Sequence, residues 1–467
     1  MSATVYDPTT ATSRARRRQL LAGCLGNGVE WYDWTLFTIL GVYFSRQVFP
    51  PAADNSFVPL LQTFAVFAVG YFFRPLGGLL LGALADRRGR REAMAVTLSL
   101  MGLGCLILAA VPTYSSAGLL SPAVLVAARV VQGLAAGGES STAIAYLTES
   151  APRKRRGFYA GLMHSGEGIG LLAATGAAAL TAQVLPPAAM STYGWRIPFA
   201  LGAVAALVGV WIRFRSQETS DVAEAVRAGR AERPRVLEFL TRHPRQTLVL
   251  AGVILAGTAS QYLWLTFLPT YAHLTTGISR STALTTSTIA LVFFVVVQPL
   301  SGLAADRIGP RRMLVAFGIA TTALTAPLLF LLRPSAGALL AVQCGGALLC
   351  SLWSTSSLAV MSDLLPMRCR VTGIGFTYGA TAALVGGTLP LVGTALSGHG
   401  DMPLFGGYLT ALALITTAVC AFALPKALRT AHAGGTDPCD TPTPVPLPAE
   451  ADPTPVSHAV PALEKSP

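Results

Sequence analysis

The sequence predicts an all-α membrane protein of twelve transmembrane helices in two six-helix bundles, and three observations predict it. Charged residues make up only 12% of the chain, against roughly 25% in soluble globular proteins. Apolar runs of about eighteen or more residues recur, each long enough to cross about 30 Å of hydrocarbon as helix, and the mean hydropathy is +0.55. A short acid-and-base turn, Gly82-Ala83-Leu84-Ala85-Asp86-Arg87-Arg88-Gly89-Arg90-Arg91, returns 220 residues later as Gly302-Leu303-Ala304-Ala305-Asp306-Arg307-Ile308-Gly309-Pro310-Arg311-Arg312. One such turn per half, between two spans each time, points to two similar bundles built on one plan.

Residues 1–19 read as a polar tail ending in Arg14, Arg16, Arg17 and Arg18. Such a cluster could open a cleaved leader. The run after it carries Glu30 and Asp33 and is followed by eleven more spans, so it reads as a retained first helix. The spans fall roughly at 20–44, 58–84, 93–112, 121–147, 158–184 and 195–214, then 245–272, 283–303, 313–333, 337–362, 372–397 and 403–424. Residues 20–214 form the first bundle and 245–424 the second, joined by a charged, amphipathic cytoplasmic linker at 215–244. The tail 425–467 is rich in Pro and Thr, lacks apolar periodicity and heptads, and is expected to be disordered.

The net charge of +12 does not mark a nucleic-acid binder, because the basic residues sit in short loops beside apolar spans rather than on one long face. Of 34 Lys and Arg, four (Arg46, Arg196, Arg280, Arg333) fall near outer loops, two (Arg74, Arg129) inside spans, and 28 in cytoplasmic segments. That asymmetry assigns both termini to the cytoplasm. Seven cysteines without metal-ligand spacing imply neither a disulfide framework nor a metal site, and read as core fillers. Nothing suggests an enzyme: there is no nucleotide loop, metal cluster or nucleophile motif, and no cofactor is expected.

A second repeat supports the two halves. Glu149-Ser150-Ala151-Pro152-Arg153-Lys154-Arg155-Arg156 matches Asp363-Leu364-Leu365-Pro366-Met367-Arg368-Cys369-Arg370, each an acid, two residues, Pro, three residues, Arg. Each Pro stops the helix before it.

Ionisable residues inside spans carry the chemistry, since a charge in hydrocarbon costs on the order of 2.5–3.5 kcal/mol. The acids are Glu30, Asp33, Glu139 and Glu167 and the bases Arg74 and Arg129, all in the first half. At about 1.5 Å per residue, all but Arg129 lie roughly 14–20 Å from the cytoplasmic edge, near the midplane, and Arg129 lies further out. Alternating-access carriers place their sites at that depth. Glu30 and Asp33, three apart, leave one face of the first helix and cannot comfortably both ionise; a movement that changes their distance to an arginine would load or release a proton. Glu30, Asp33, Arg129 and Glu139 are therefore the proton-coupling candidates, with a static ion pair as the alternative. Arg74 offers a two-point fork to a substrate carboxylate, or else serves as counter-ion to Glu139 or Asp33. His164 is a proton relay or a satisfied core histidine. Glu167 joins the substrate-binding candidates, and Gln261, Tyr262, Trp264, Trp353 and Tyr378 are the donors and aromatic faces available in the second half, or packing between helices.

The repeated turn resembles the signature of the major facilitator superfamily. Within it, Asn27-Gly28-Val29-Glu30-Trp31-Tyr32-Asp33, Phe73-Arg74-Pro75-Leu76-Gly77-Gly78, Gly137-Gly138-Glu139, Arg156-Gly157-Phe158-Tyr159 and Gly194-Trp195-Arg196-Ile197-Pro198-Phe199 resemble the metabolite:proton symporters. Leu60-Leu61-Gln62-Thr63 and Val297-Gln298-Pro299-Leu300 are most similar to the alpha-ketoglutarate permeases. The resemblance spans about residues 20–430. It implies a monomer in the bacterial inner membrane that takes up a small carboxylate, an alpha-ketoglutarate-like dicarboxylate by preference, with protons and by alternating access. A symporter for proline/betaine, shikimate or citrate, a proton-driven exporter and a non-transporting sensor are the alternatives. It also implies a cytoplasmic gate between the bundles, formed by Asp86, Arg90, Glu149 and Arg156 and by Asp306, Asp363 and Arg370. Asp86 would meet the start of the eleventh span near Thr372, where free N–H groups favour an anion, and Arg90 would pair with Glu149. Pro310 stands where the first copy has Arg90, so the gate in the second copy is expected to be weaker.

Overall fold

The computed structural model describes residues 8–50, 57–88, 90–150, 155–214, 238–365, 370–398 and 402–433, and they are almost wholly helical. The first half holds α1 (Pro8–Val48), α2 (Val58–Phe72, resumed after Phe73 as Arg74–Arg88), α3 (Arg90–Ala110), α4 (Leu120–Ser150), α5 (Arg156–Val184) and α6 (Arg196–Phe214). The second holds α7 (Pro244–Gln261, Tyr262–Phe267, Leu268–Thr276), α8 (Arg280–Ile308), α9 (Pro310–Phe330) and α10 (Ala336–Leu364). It ends with α11 (Arg370–Thr381, Ala382–Gly386, Leu389–Gly398) and α12 (Met402–Ala418, Val419–Ala423, Leu424–Ala433). Among the described residues nine helices are long and apolar enough to cross a bilayer, and a tenth counts if Pro187–Gly194 and Arg196–Trp211, bent by 44°, form one span. The other two long helices are α1, with 41 residues, and α5, with 29, which carry buried acids.

Local chemistry sets the helix ends. Ser279 Oγ accepts from the Thr282 N–H and caps α8 at its start. The same helix ends at Gly309, whose φ of 97° excludes most side chains, and Pro310 then opens α9 where a missing N–H costs nothing.

Three expected boundaries shift. Helix α1 begins at Pro8 rather than near residue 20, with Pro at its first position, where a missing N–H costs nothing, and a run of Arg, Ala, Gln and Leu from Arg14 to Ala22 before Gly23. Residues 425–433, expected in the disordered tail, continue α12, because Leu424, Ala427 and Leu428 pack into the second bundle and offset the ordering entropy. At the end of the linker, Glu238–Arg242 is a short helix whose buried Phe239 meets Phe376 at 5.6 Å. Residues 1–7, 215–237 and 434–467 lie outside the described part.

In the first half α2 packs on α4, α3 on α4 and α6, and α1 on α5; in the second, α8 packs on α10, and α9 on α10 and α12. Between halves α5 runs along α8, and α2 meets α11. These two seams are repeats of each other, since α8 repeats α2 and α11 repeats α5. Small residues make the closest approaches possible. A Cβ on Gly137 of α4 would stand 1.9 Å from the Arg74 carbonyl oxygen, and one on Gly170 of α5 would stand 2.1 Å from that of Gly28. Outward, Leu180, Leu207, Val296, Leu300 and Phe422 are exposed, the kind of apolar surface that hydrocarbon covers.

Candidate functional site

Three polar groups occupy the middle of the helices. Asp33 of α1 is fully buried, and so is Arg129 of α4, whose Nη1 donates to Asp33 Oδ2 at 3.2 Å. Gln132 Nε2, one turn along α4, donates to Asp33 Oδ1 at 2.6 Å, and the Cys105 thiol of α3 donates to the same oxygen at 3.2 Å. The Arg129 guanidinium lies 3.7 Å from the centre of the Phe37 ring and 5.0 Å from that of Trp34, which leaves it little room for water. This group is built entirely from the first bundle. Arg129, expected further out, reaches Asp33 because its long side chain spans the difference in depth. Cys105, expected to be a core filler, is a hydrogen-bond donor to the buried acid.

Glu30 takes a different partner. Arg74 of α2 donates to Glu30 through Nη2, so its counter-ion is Glu30, not Asp33. Three residues of α-helix turn through about 300°, leaving Glu30 and Asp33 some 60° apart. The shared face splits accordingly, Glu30 toward α2 and Asp33 toward α3 and α4. The Arg74 guanidinium sits 4.5 Å from the ring centres of both Trp34 and Tyr71. The Tyr71 hydroxyl donates to that of Tyr262 in α7, and Tyr262 stacks on Trp31 at 5.5 Å, so an aromatic bridge crosses between the bundles beside the ion pair. Tyr262 opens the π-helical stretch Tyr262–Phe267, a distortion common at functional sites.

The third group spans both halves. Glu167 of α5 accepts from His164 Nδ1 at 2.7 Å and from Gln261 Nε2 of α7 at 3.1 Å. His164 Nε2, Gln261 Oε1 and Arg74 Nε are buried and make no hydrogen bond among the described residues. Tyr378 of α11 lies within electrostatic reach of Glu167, Tyr262, Arg74 and Glu30, which ties the second and third groups into one region. Trp264 and Trp353 do not join it. Trp264 is wedged against Gly346, and Trp353 Nε1 donates to the Val253 carbonyl at 2.9 Å, so both pack within the second bundle.

At one end of the seam the Asp306 carboxylate accepts from the Gly157 N–H at 2.7 Å and the Phe158 N–H at 3.0 Å, the free donors at the start of α5. Arg156 Nη1 stands 3.5 Å from Asp363 Oδ1, a half-exposed pair. The second copy of the turn thus makes its contact despite Pro310, because the contact uses Asp306 and backbone N–H groups. The side chains of Asp86, Arg90, Glu139, Glu149 and Arg370 lie outside the described part.

Sequence reasoning missed Tyr71, Trp31, Gln132 and Cys105. Gln132 left a trace as a lone amide one turn after Arg129 in an apolar span; the others look like ordinary core residues.

A family model described as Major Facilitator Superfamily matches residues 24–376 and 249–463. The alpha-ketoglutarate permease of Escherichia coli (strain K12) is 33% identical over 410 residues, which cover 87% of this chain and 93% of the relative. The citrate-proton symporter of Klebsiella pneumoniae is 30% identical, over 82% of this chain and 86% of the relative. The shikimate transporter of Escherichia coli (strain K12) is 29% identical, over 90% and 95%. Among solved structures, a D-xylose-proton symporter matches with a TM-score of 0.66 at 17% identity, covering 88% of this chain and 98% of that one, a likeness of fold alone.

Proposed function

The chain belongs to the major facilitator superfamily, a family of multi-pass membrane transporters rather than enzymes, and we propose that it takes up a small carboxylate metabolite together with protons by alternating access. The observation that carries this reading is the Glu30–Arg74 pair. Arg74 holds an acid of its own and keeps a further N–H, at Nε, without a hydrogen-bond partner among the described residues. A substrate carboxylate that docks on Arg74 competes with Glu30 for the guanidinium. Glu30, parted from the guanidinium in a buried setting, then takes a proton, because a buried carboxylate that loses its cation is costly. Substrate and proton thus favour each other by the same factor.

An alpha-ketoglutarate-like dicarboxylate is the favoured cargo, on the strength of the first relative named above. Beyond Arg74, the Tyr378 hydroxyl and the second Nε2 hydrogen of Gln261 supply donors, while His164 Nε2, with Nδ1–H given to Glu167, offers an acceptor. Glu167 faces that end as well, and its carboxylate disfavours a second carboxylate placed beside it. Asp33 and Arg129 form a second proton-coupling pair, and Glu139 belongs to the same set. The charge asymmetry of the loops puts both termini in the cytoplasm, in a bacterial inner membrane, and the carrier works as a monomer. Asp306, Arg156 and Asp363 then form part of the inner gate, with Asp86, Arg90, Glu149 and Arg370 as their repeat-related partners.

Glu30→Gln in proteoliposomes tests the reading. The variant should exchange labelled substrate across the membrane at a rate near the parent's, yet lose accumulation driven by a pH gradient. Undiminished accumulation would overturn the role of Glu30.

A further inference from the structure

At the end of the molecule remote from Asp306, α1, α7 and α8 meet around a small recess lined by Ile39, Val42, Tyr43, Thr270, His273 and Arg280. His273, half-buried in the last turn of α7, uses both ring nitrogens. Nδ1 lies 2.8 Å from the Ile278 carbonyl oxygen, which only accepts, so Nδ1 carries the hydrogen. Nε2 in turn accepts from Arg280 Nε at 3.0 Å. This arrangement admits only the neutral imidazole. A proton on Nε2 would set an N–H against an N–H and a second positive charge beside the guanidinium.

Arg280 is also the link across the seam. Its guanidinium lies 5.3 Å from the centre of the Tyr43 ring on α1, and beside it Thr270 Oγ1 donates to the Thr38 carbonyl at 3.4 Å. Arg46, on the same helix as Tyr43, is within electrostatic reach of Arg280, so the end already holds two cations. Among the described residues the ionisable groups lining the recess with His273 are Tyr43 from α1 and Arg280 from α8, with Arg46 of α1 near Arg280. The adjoining stretch Leu389–Gly398 of α11 has no ionisable side chain, Tyr271 is its neighbour on α7, and Tyr262 lies deeper.

We propose that His273 is a positioning residue for the transport cycle, holding this end closed through Arg280 and Tyr43 while neutral and releasing it when protonated. On the orientation proposed above this end faces the outside, so the acid side that drives uptake also opens the door through which substrate arrives. The chemistry at Arg74 is untouched; the switch changes how often the site is reached.

Labelling tests it without substrate. Thr270→Cys places a thiol in the recess, and a membrane-impermeant maleimide reports its exposure in right-side-out vesicles, with the parent chain as background and an exposed surface cysteine as reference for thiol reactivity. Acidifying from about pH 8 to about pH 4.5 takes an imidazole from neutral to protonated even where a neighbouring guanidinium holds the proton off, so normalised labelling should rise about fivefold with His273 present. With His273→Asn the rise should vanish. A rise that survives His273→Asn, or no rise in either chain, overturns the proposal. If His273→Asn does not fold, Arg280→Gln serves, since it removes the opposing charge and should also flatten the response; a persisting rise there is equally fatal. Inside-out vesicles separate an inverted orientation from a failed switch, because in them the label would reach the recess only if the orientation were reversed.

Discussion

The two bundles share a plan and differ in what they bury. Among the described residues, every fully or nearly buried charge lies in the first: Glu30, Asp33, Arg74, Arg129 and Glu167. The second buries hydroxyls and amides instead, among them Ser354, which donates to Gln298 Oε1 at 2.9 Å. It also carries three π-helical stretches, at Tyr262–Phe267, Ala382–Gly386 and Val419–Ala423, against one among the described residues of the first half, Met190–Gly194 before α6. A buried ion pair fixes its helices, because separating it leaves two costly charges, whereas a break in a helix lets backbone geometry adjust. The difference teaches a division of labour: the first bundle stores charge in a rigid frame and the second meets it with neutral groups on more adaptable helices.

The severest way to break this comparison is to unpair the deepest acid. Arg129→Leu should cost about 3–5 kcal/mol, the usual range for leaving a buried partner alone, and be seen as loss of folded protein in a thermal melt. Arg129→Leu combined with Asp33→Asn should recover most of it; a single variant as stable as the parent would mean that the first bundle is no charged frame. Next comes Arg74→Lys, which keeps the charge but not the planar fork. Substrate affinity for a carboxylate should fall about tenfold or more, close to 1.4 kcal/mol; a binding curve within twofold of the parent would make Arg74 a counter-ion only. Asp306→Asn sharpens the picture at the seam. It removes the charge at the start of α5, worth about 0.3–1 kcal/mol, and labelling of a thiol at the Asp306 end should rise a few-fold. Arg156→Ala should do least, within about 0.5 kcal/mol, because its pair with Asp363 is half exposed. A large effect on that last melt would point to a network beyond the described side chains.

The fold was legible because hydrophobic runs and a repeated turn are long-range signals that survive in one dimension. The candidate site was legible only in part. Residues that had to be explained because they are charged, such as Glu30, Asp33, Arg74, Arg129 and Glu167, could be found one by one. Their pairing could not, since it depends on which way each side chain leaves its helix: a 60° difference sends Glu30 to Arg74 and Asp33 to Arg129. Tyr71 and Trp31 were hidden for another reason. Aromatic residues are the normal filling of an apolar span, and only Tyr71 facing Tyr262 across the seam gives them away. The start of α5 was legible only through the repeat: Asp86 was expected to meet the start of the eleventh span, and Asp306 makes the repeat-related contact with the Gly157 and Phe158 N–H groups.

The seam between α5 and α8 has a mechanical consequence. Contacts run along its whole length: Gly157 and Phe158 with Asp306 at one end, Ser165 Oγ on the Val295 carbonyl at 3.2 Å midway, and Gln183 Nε2 on Thr285 Oγ1 at 2.7 Å at the other. Two helices touching at both tips part at one only by turning about a point between, and the closest approach near the Asp306 end is at Gly161, where a Cβ would come within 2.5 Å of the Gln298 carbonyl oxygen beside Pro299. The seam is a balance beam. On the alternating access proposed above, weight removed from either tip tilts it the opposite way, so weakening Gln183 and weakening Asp306 should push the carrier toward opposite faces of the membrane. A side chain added at Gly161, against Gln298 and Pro299, should hinder both movements at once.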